Sequence, residues 1–485
     1  MRNIFKIIYL SVLISVFTSC SKEYELPQEL VVHDFVWKGL NAYYLHQGEI
    51  TDLADTRFNS DEQLNTYLSS FPDYNTLFSN LLISSDVKST LIEDYNTITN
   101  PDTRTGFTNG LEFGVIAEPN HPENVLGYVT HILPNSDAAT KNILRGEFFN
   151  MIDGAQLTRT NYQDILLNGL DNLTLEMVNF DGIIVTPNAK NVSLAKQNYT
   201  YSAIFLEKTI PVNSDNIGYL AYNNDFSLNY ITDLNNSFLD FKNQNVNELV
   251  LDLRHNIGGG SFAKNISQIA SMITGQFTDE VLIKEKWNTK AQAWFSVNQP
   301  DSLLTKFPTQ LNATTSIKSL NLTDVYIILN GSNNTGSSAV ELLINSLKPH
   351  INVHVIGNQT TGNNTGAITL YNSEDYDFTL KNTTHSVAIQ PMVLSFFNKD
   401  DQTYENGISP NITLCTNENP LELGALGEPS DPILNRVLNY ISTGDVISNT
   451  NCNPQNFEYL YNSIDSQRET DTGVFINQDL PNTNF

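Results

Sequence analysis

The sequence predicts an α/β fold with a mostly parallel sheet in the larger, C-terminal part of the chain. Short segments there are almost continuously apolar, helical segments alternate with them, and glycine-rich or polar turns follow them. Strands that are buried on both faces of a parallel sheet need such apolar runs. The predicted strands are residues 217–220, 249–253, 325–329 and 353–356, and the predicted helices are 230–241, 262–273 and 339–347.

The first part of the mature chain reads as a helical domain, assigned to residues 20–105. Apolar residues recur there at a spacing close to 3.6, as in Phe35, Leu40 and Tyr43. This period is typical of amphipathic helices. We assign these aromatic residues to the core and expect no chemistry from them.

Residues 106–190 change to short β-type runs separated by Pro, Asn and Gly turns. The runs are residues 113–117, 127–133 and 148–152, with one helical segment at 136–144. The order of these pieces resembles a PDZ domain inserted into the chain, although a plain turn in a small β-barrel is the alternative. The resemblance implies a loop whose backbone amides receive a peptide C-terminal carboxylate, formed by Gly110, Leu111, Glu112, Phe113 and Gly114.

The N-terminus has the layout of a secretory signal, assigned to residues 1–19. Arg2 and Lys6 precede an apolar run over 7–17, and small residues stand directly before Cys20. The run is shorter than the roughly 20 residues that cross a bilayer, and the cysteine resembles a bacterial lipoprotein box. We therefore expect an exported outer-membrane lipoprotein, periplasmic or surface-exposed and lipidated at Cys20. A membrane anchor or an ordinary signal with an incidental cysteine is the alternative.

Composition excludes some partners. The formal net charge is −27, from 53 acidic and 26 basic residues, which opposes binding to nucleic acid and to anionic headgroups. Membrane attachment is therefore expected only through the lipid. Cys415 and Cys452 form either a disulfide or two separate thiols, since sequence does not give their distance. No spacing of His and Cys suggests a metal site, and no cofactor is expected.

Three motifs in the α/β part carry candidate chemistry. In the first, the strand 249–253 runs into Arg254, His255, Asn256 and three glycines at 258–260. Glycines let backbone amides approach a substrate closely and point at a developing oxyanion. The Lys and Ser/Thr of a phosphate-binding Walker loop are missing.

The second motif places a serine at a strand-to-helix turn. Strand 325–329 is followed by a polar turn, Ser337, Ser338 and the helix 339–347. A helix N-terminus favours negative charge, although a serine there can equally be a helix N-cap. The third motif is strand 353–356, a Gly and Thr turn, Gly362 and Asn363.

Together these motifs resemble the tail-specific (C-terminal-processing) serine peptidases. The resemblance implies a ClpP/crotonase-like peptidase domain over residues 191–447, with an extension over 448–485 that is polar and expected to pack little. It implies that Ser338, three residues before Glu341, is the nucleophile. The backbone amides of Gly259 and Ala339 would form the oxyanion hole.

The family's general-base lysine falls 25 residues after the nucleophile, where this sequence has Asn363. An amide cannot usefully accept the serine proton. His255, His131 and His385 are conceivable substitutes, although a lone histidine is more often structural. We expect a serine endopeptidase-type protein that cleaves or binds unstructured protein or peptide C-termini. The alternative is an inactive peptide-binding pseudopeptidase, and acyl-CoA chemistry ranks last because CoA is not expected outside the cytoplasm.

Overall fold

A computed structural model describes residues 26–97, 105–202, 204–223, 226, 228–256, 261–329, 336–414, 418–445, 457–464 and 473–476. Four residues with predicted roles lie outside these ranges, namely Cys20, Gly259, Cys415 and Cys452. Across the described ranges, no helix has the length and apolar character needed to span a membrane.

Three α-helices come first among the described α-helices and strands. Two of them start at a side-chain cap: Ser60 Oγ accepts from Gln63 N, and Asp73 Oδ1 accepts from Thr76 N over 2.7 Å. The helices bury their apolar faces in the same core as the α/β part. The elements are α1 Val31–Tyr43, α2 Asp61–Leu68, α3 Tyr74–Asn80 and the short strand β1 Thr90–Ile92.

A β-rich segment with its own core follows. Its antiparallel sheet has the order β3-β4-β5-β7-β8, and β2 pairs with β9 beside it. The elements are β2 Thr105–Thr108, β3 Leu111–Ala117, β4 Val125–Ile132, β5 Phe148–Ile152, β6 Ala155–Gln156, α4 Tyr162–Leu166, β7 Asn172–Phe180, β8 Val185–Ala195 and β9 Gln197–Thr200.

The helix predicted at 136–144 is wrong, because only a 3-10 turn forms, at Ala138–Thr140. Ser136 explains the difference. Its hydroxyl donates to the Leu133 carbonyl over 2.6 Å and accepts from the Ala139 amide. Such side chain to backbone bonds offer the chain an alternative to a continuous helix.

Strands and helices alternate through the rest of the main domain. The elements are β10 Ile204–Val212, β11 Asp215–Tyr222, α5 Leu228–Asn243, β12 Glu248–Asp252, α6 Ala263–Ile273, β13 Val281–Trp287, α7 Thr289–Asn298, β14 Leu304–Lys306, β15 Asp324–Ile328, α8 Ser338–Leu347, β16 Asn352–Gly357, β17 Thr365–Ala367, β18 Leu370–Tyr371, β19 Ala388–Gln390, β20 Met392–Asn398, β21 Ile412–Thr413 and α9 Pro432–Thr443.

The main sheet has the order β10-β11-β12-β15-β16-β21 and is parallel from β11 onwards, so the prediction of an α/β fold is confirmed. Strands β12, β15 and β16 are neighbours, and each precedes one of the three motifs. Because the carboxyl ends of parallel strands lie at one edge of a sheet, the described residues of the three motifs converge there. A second sheet contains the strands β14-β13-β20-β17 in that order, and its buried apolar residues belong to the same core as those on one face of the main sheet.

The prediction that residues 448–485 pack little is wrong for the described residues of this segment. Strand β22, Tyr459–Asn462, extends the β-rich sheet at β3, and strand β23, Val474–Phe475, pairs with β17. Phe457 and Val474 are buried, because these scattered apolar residues fill positions at two sheet edges that would otherwise be open.

Candidate active site

Ser338 is the first residue of α8 and is 1% exposed. The helix is capped by its neighbour Ser337, whose Oγ accepts from Val340 N over 3.3 Å. Ser337 Oγ also donates to Asn256 Oδ1 over 2.8 Å. The N-cap role that competed with a nucleophilic role therefore belongs to Ser337.

Asn363 and Ser338 are in direct contact. Asn363 Nδ2 donates to Ser338 Oγ over 2.6 Å. The opposite end of the amide is held by Thr365, whose Oγ1 donates to Asn363 Oδ1 over 2.8 Å and whose backbone N approaches it at 3.5 Å. Because a backbone N–H only donates, this contact orients the carbonyl oxygen towards Thr365 and the NH₂ towards Ser338.

Glu341, one turn along α8, fixes the backbone at Asn363. Its carboxylate accepts from Gly362 N over 2.6 Å and from Asn363 N over 2.8 Å. Gly362 has a φ of +93°, and a Cβ there would lie 2.4 Å from the Glu405 carbonyl oxygen, so glycine is required. The buried glutamate thus couples the helix that carries Ser338 to the turn that carries Asn363.

A buried ion network holds the end of β12, just before the glycine turn. The Arg254 side chain is 0% exposed and forms ion pairs with three carboxylates. Burial disfavours the guanidinium charge, but these carboxylates hold the pKa of Arg254 well above its usual value. The partners are Asp252, Asp431 and Glu418.

The network also shifts the pKa of Glu418, one of its acidic members. Although burial raises the pKa of Glu418, the charges of Arg145 and Arg254 lower it to about 2. Tyr219 donates to Asp252 over 2.6 Å. Sequence inspection missed this network, because Glu418 and Asp431 lie more than 160 residues after Arg254. The one indication in the sequence is Arg254 itself, because an arginine that directly follows a buried strand needs acidic partners.

Ala339 is the second residue of α8, so its N–H has no acceptor within the helix. The helix dipole adds partial positive charge at this end. An amide in this position, next to Ser338, suits the stabilisation of an oxyanion. The other predicted donor, Gly259, lies outside the described residues.

The model of peptidase family S41 matches residues 216–414. The chain carries a peptidase family S41 domain. This is the tail-specific serine peptidase family that the motifs resemble, so the predicted family is confirmed. By family resemblance, this domain therefore groups with the serine hydrolases.

One solved structure extends the likeness beyond the S41 domain. A protein of Bacteroides fragilis NCTC 9343 named as an S41 protease is similar at a TM-score of 0.63 and 19% identity, over 87% of this chain and 99% of that chain. This similarity shows a shared fold. The photosystem II D1 C-terminal processing protease has a TM-score of 0.43 and 15% identity, over 89% and 100% of the two chains. No curated protein matches the sequence.

The histidines considered as substitute bases lie in two places. The rings of His131 and His255 pack edge to face, with 3.9 Å between centroids, where the β-rich segment meets the S41 domain. The pKa of His131 lies well below its usual value. Burial is the largest cause, and the positive charge of Arg145 is the second. His385 packs against Phe35 of α1.

The predicted carboxylate-binding loop is corrected in part, because Leu111, Glu112, Phe113 and Gly114 lie in strand β3. Gly110 precedes the strand with a φ of +82°. The amides of this segment bind within the chain: Gly110 N donates to Thr108 Oγ1, Leu111 N to Asn109 Oδ1, and Phe113 N to Ser463 Oγ. A role of this segment in peptide binding stays a prediction.

The described ranges contain no group of three or more His, Cys, Asp or Glu residues placed to hold a metal ion. The described groups beside Ser338 are its own hydroxyl, the Asn363 amide side chain, the hydrogen-bonded Glu341 carboxylate and the N-terminal amides of α8.

Proposed function

We propose that the S41 domain binds extended segments of peptides or unfolded proteins beside Ser338 and does not hydrolyse them efficiently. The observation that carries this proposal is the hydrogen bond from Asn363 Nδ2 to Ser338 Oγ. At the position where the family places a general base, this chain presents a hydrogen-bond donor to the hydroxyl.

The chemical consequence follows from the direction of that bond. A serine hydroxyl becomes an effective nucleophile when a neighbouring group accepts its proton, and an amide N–H cannot do so. Loss of a positioned base costs about 10²- to 10⁴-fold in rate. Glu341 is poorly placed as a substitute, because both of its carboxylate oxygens already accept hydrogen bonds from the Gly362 and Asn363 amides.

Hydrolysis is the second candidate function, and one feature favours it. Ser338 lies at a helix N-terminus beside the Ala339 amide, an arrangement that can stabilise the oxyanion of a tetrahedral intermediate. Oxyanion stabilisation and substrate binding alone can still accelerate peptide hydrolysis measurably over the uncatalysed reaction. Protein C-termini are the substrates or ligands that the family resemblance favours in either case.

Parallel binding and cleavage measurements test the proposal. A fluorescein-labelled unstructured peptide with an apolar C-terminus is titrated by anisotropy against wild type and Ser338→Ala, and the same mixtures are analysed by mass spectrometry. We expect both proteins to bind with similar affinity and to release no Ser338-dependent fragments. Cleavage by wild type that disappears in Ser338→Ala would establish the peptidase instead. No binding by either protein, also when Phe475→Pro weakens the C-terminal strand pairing, would remove the proposed function.

We also propose that the protein is exported and anchored by lipid on Cys20, supported by the order of basic, apolar and small residues before it. Cys20→Ser should move the protein from the membrane fraction to the soluble envelope fraction. Cys452→Ser is the matched control and should leave the protein with the membranes. Membrane retention of Cys20→Ser would contradict the anchor.

A further inference from the structure

Residues 473–476, close to the C-terminal end of the chain and named the tail, lie along strand β17. Strand β17 begins two residues after Asn363. Strand β23 runs parallel to β17, with Val474 opposite Gly366 and Phe475 opposite Ala367. The Ile476 amide donates to the Ala367 carbonyl over 3.3 Å. The tail therefore pairs with the strand that directly follows the base position.

The other side of the same tail contacts the segment that follows the glycine turn. The Phe475 amide donates to the Ser261 carbonyl over 2.8 Å. Phe475 also forms a parallel bridge with Phe262, and the two rings lie 6.0 Å apart. Because Ser261 directly follows residues 257–260, the tail lies between the segments that follow two of the three catalytic motifs.

The tail fills this cleft as a strand ligand does. Val474 is 1% exposed and Ile476 is 7% exposed, whereas Phe475 between them is only half-buried. Alternating burial is what an extended chain shows when every second side chain enters a pocket. A Cβ added to Gly473 would lie 3.8 Å from Asn363 Nδ2, so the backbone of the tail passes directly beside the Ser338 site.

Residues 457–464, earlier in the same C-terminal extension, cover the edge of the β-rich sheet at β3, which contains most of the predicted carboxylate-binding segment. Strand β22 pairs antiparallel with β3, with Asn462 opposite Gly114. Ser463 accepts from the Phe113 amide through its Oγ and donates its own amide to the Phe113 carbonyl, each over 2.9 Å. Residues 457–464 thus make the backbone contacts expected of a bound peptide.

We propose that the cleft between β17 and Ser261 is a binding site for an extended peptide, and that residues 473–476 occupy it as an intramolecular ligand. The site takes a small residue beside Asn363, followed by apolar side chains at alternate positions. External peptides bind by displacing the tail. This inference rests on the proposed peptide-binding function and names the ligand class and the competitor.

The competition follows from tethering. A segment linked to its own site acts at an effective concentration of about millimolar, so it outcompetes the same sequence supplied free at micromolar concentration. Weakening the tail's backbone pairing should therefore strengthen the binding of an external peptide.

Full-length Phe475→Pro tests this, because proline removes the N–H that donates to Ser261. Phe475→Ala is the matched control, since it loses the ring but keeps the backbone donor. A fluorescein-labelled peptide with the sequence of residues 471–480 is titrated against each protein. We expect Phe475→Pro to bind it at least about tenfold more tightly than wild type, and Phe475→Ala to remain closer to wild type. A peptide carrying Val474→Asp and Ile476→Asp should bind none of them.

A folded Phe475→Pro variant that binds no more tightly than wild type overturns the proposal. If this variant does not fold, hydrogen exchange of wild type decides: saturating peptide should accelerate exchange at the Phe475 and Ile476 amides, and unchanged protection overturns the proposal. The affinity of an unrelated unstructured peptide is also measured. If this peptide binds wild type and Phe475→Pro equally well, the claim that the tail occupies the site is wrong, but the proposed peptide-binding function is not contradicted. Absence of any peptide binding in all proteins removes the proposed function and this inference with it.

Discussion

Asn363 Nδ2 donates to Ser338 Oγ over 2.6 Å, while Thr365 holds the carbonyl end of the same amide. At the position that the family resemblance assigns to a general base, the chain therefore presents a hydrogen-bond donor to the serine hydroxyl. The scaffold around it is kept by Glu341, which bonds the Asn363 backbone from the serine helix. The spacing between Ser338 and the backbone of residue 363 is therefore set by Glu341 and does not depend on the Asn363 side chain.

Asn363→Lys should accordingly create or raise peptidase activity towards unstructured protein tails, by about 100-fold or more. The lysine must lose its proton to act, and desolvation beside buried Ser338 can depress its pKa. The assay is fragment release across pH 7 to about 10, near the ordinary lysine pKa. It is also run with Phe475→Pro, so that the tail does not mask a gain.

The double variant Asn363→Lys with Ser338→Ala is the control and should be inactive. Two results would contradict the prediction. One is activity that survives in the double variant, which would come from another group or a contaminant. The other is a folded Asn363→Lys variant with no gain at any pH, in either background.

Glu341→Ala should destabilise the protein by about 3 kcal/mol or more, because each hydrogen bond to a buried charged group contributes about 1.5 to 3 kcal/mol. The variant leaves the Gly362 and Asn363 amides without their acceptor. Glu341→Gln keeps one carbonyl oxygen and should lose less. Urea denaturation gives the free energy of unfolding of wild type and of both variants, which should fall from wild type to Glu341→Gln to Glu341→Ala. Equal stability of the alanine variant and wild type would contradict a positioning role of Glu341.

The sequence was informative where a residue's role depends on its immediate neighbours. The apolar strands before Arg254 and Ser338 and the glycine at 362 were readable because local spacing determines them. The strand ends differ by only one or two residues from those predicted. The contact of Ser338 with Asn363 was likewise expected from the family spacing.

Long-range partners could not be read in this way. The polar segment after residue 448 gave no sign that Val474 would pair with β17 or that Ser463 would bond to β3, since an edge strand needs few apolar residues. The buried pairing of Arg254 with Asp431 is set by tertiary packing. Thr365 has no local pattern that would mark it as the residue that orients Asn363.

Arg254→Met should cost about 3 to 5 kcal/mol, since it leaves the buried carboxylates of Asp252 and Asp431 without their counter-charge. Lys284→Met breaks the exposed pair with Asp401 and is the matched control, with an expected loss below about 1 kcal/mol. Chemical denaturation of both variants gives the comparison. Equal losses would show that the buried network contributes no more than a surface pair.

His131→Gln should flatten the dependence of stability on pH below neutrality. Burial lowers the pKa of His131 in the folded state, so below the unfolded value of about 6.5 the unfolded chain binds a proton that the folded one refuses. Its contribution to stability is therefore complete above that pH and is lost as pH falls, by at most about 1.4 kcal/mol per pH unit. Free energies of unfolding measured between pH 7.5 and 5 for both proteins should converge towards acid. Parallel curves would mean that His131 takes up its proton equally in the folded and unfolded chains.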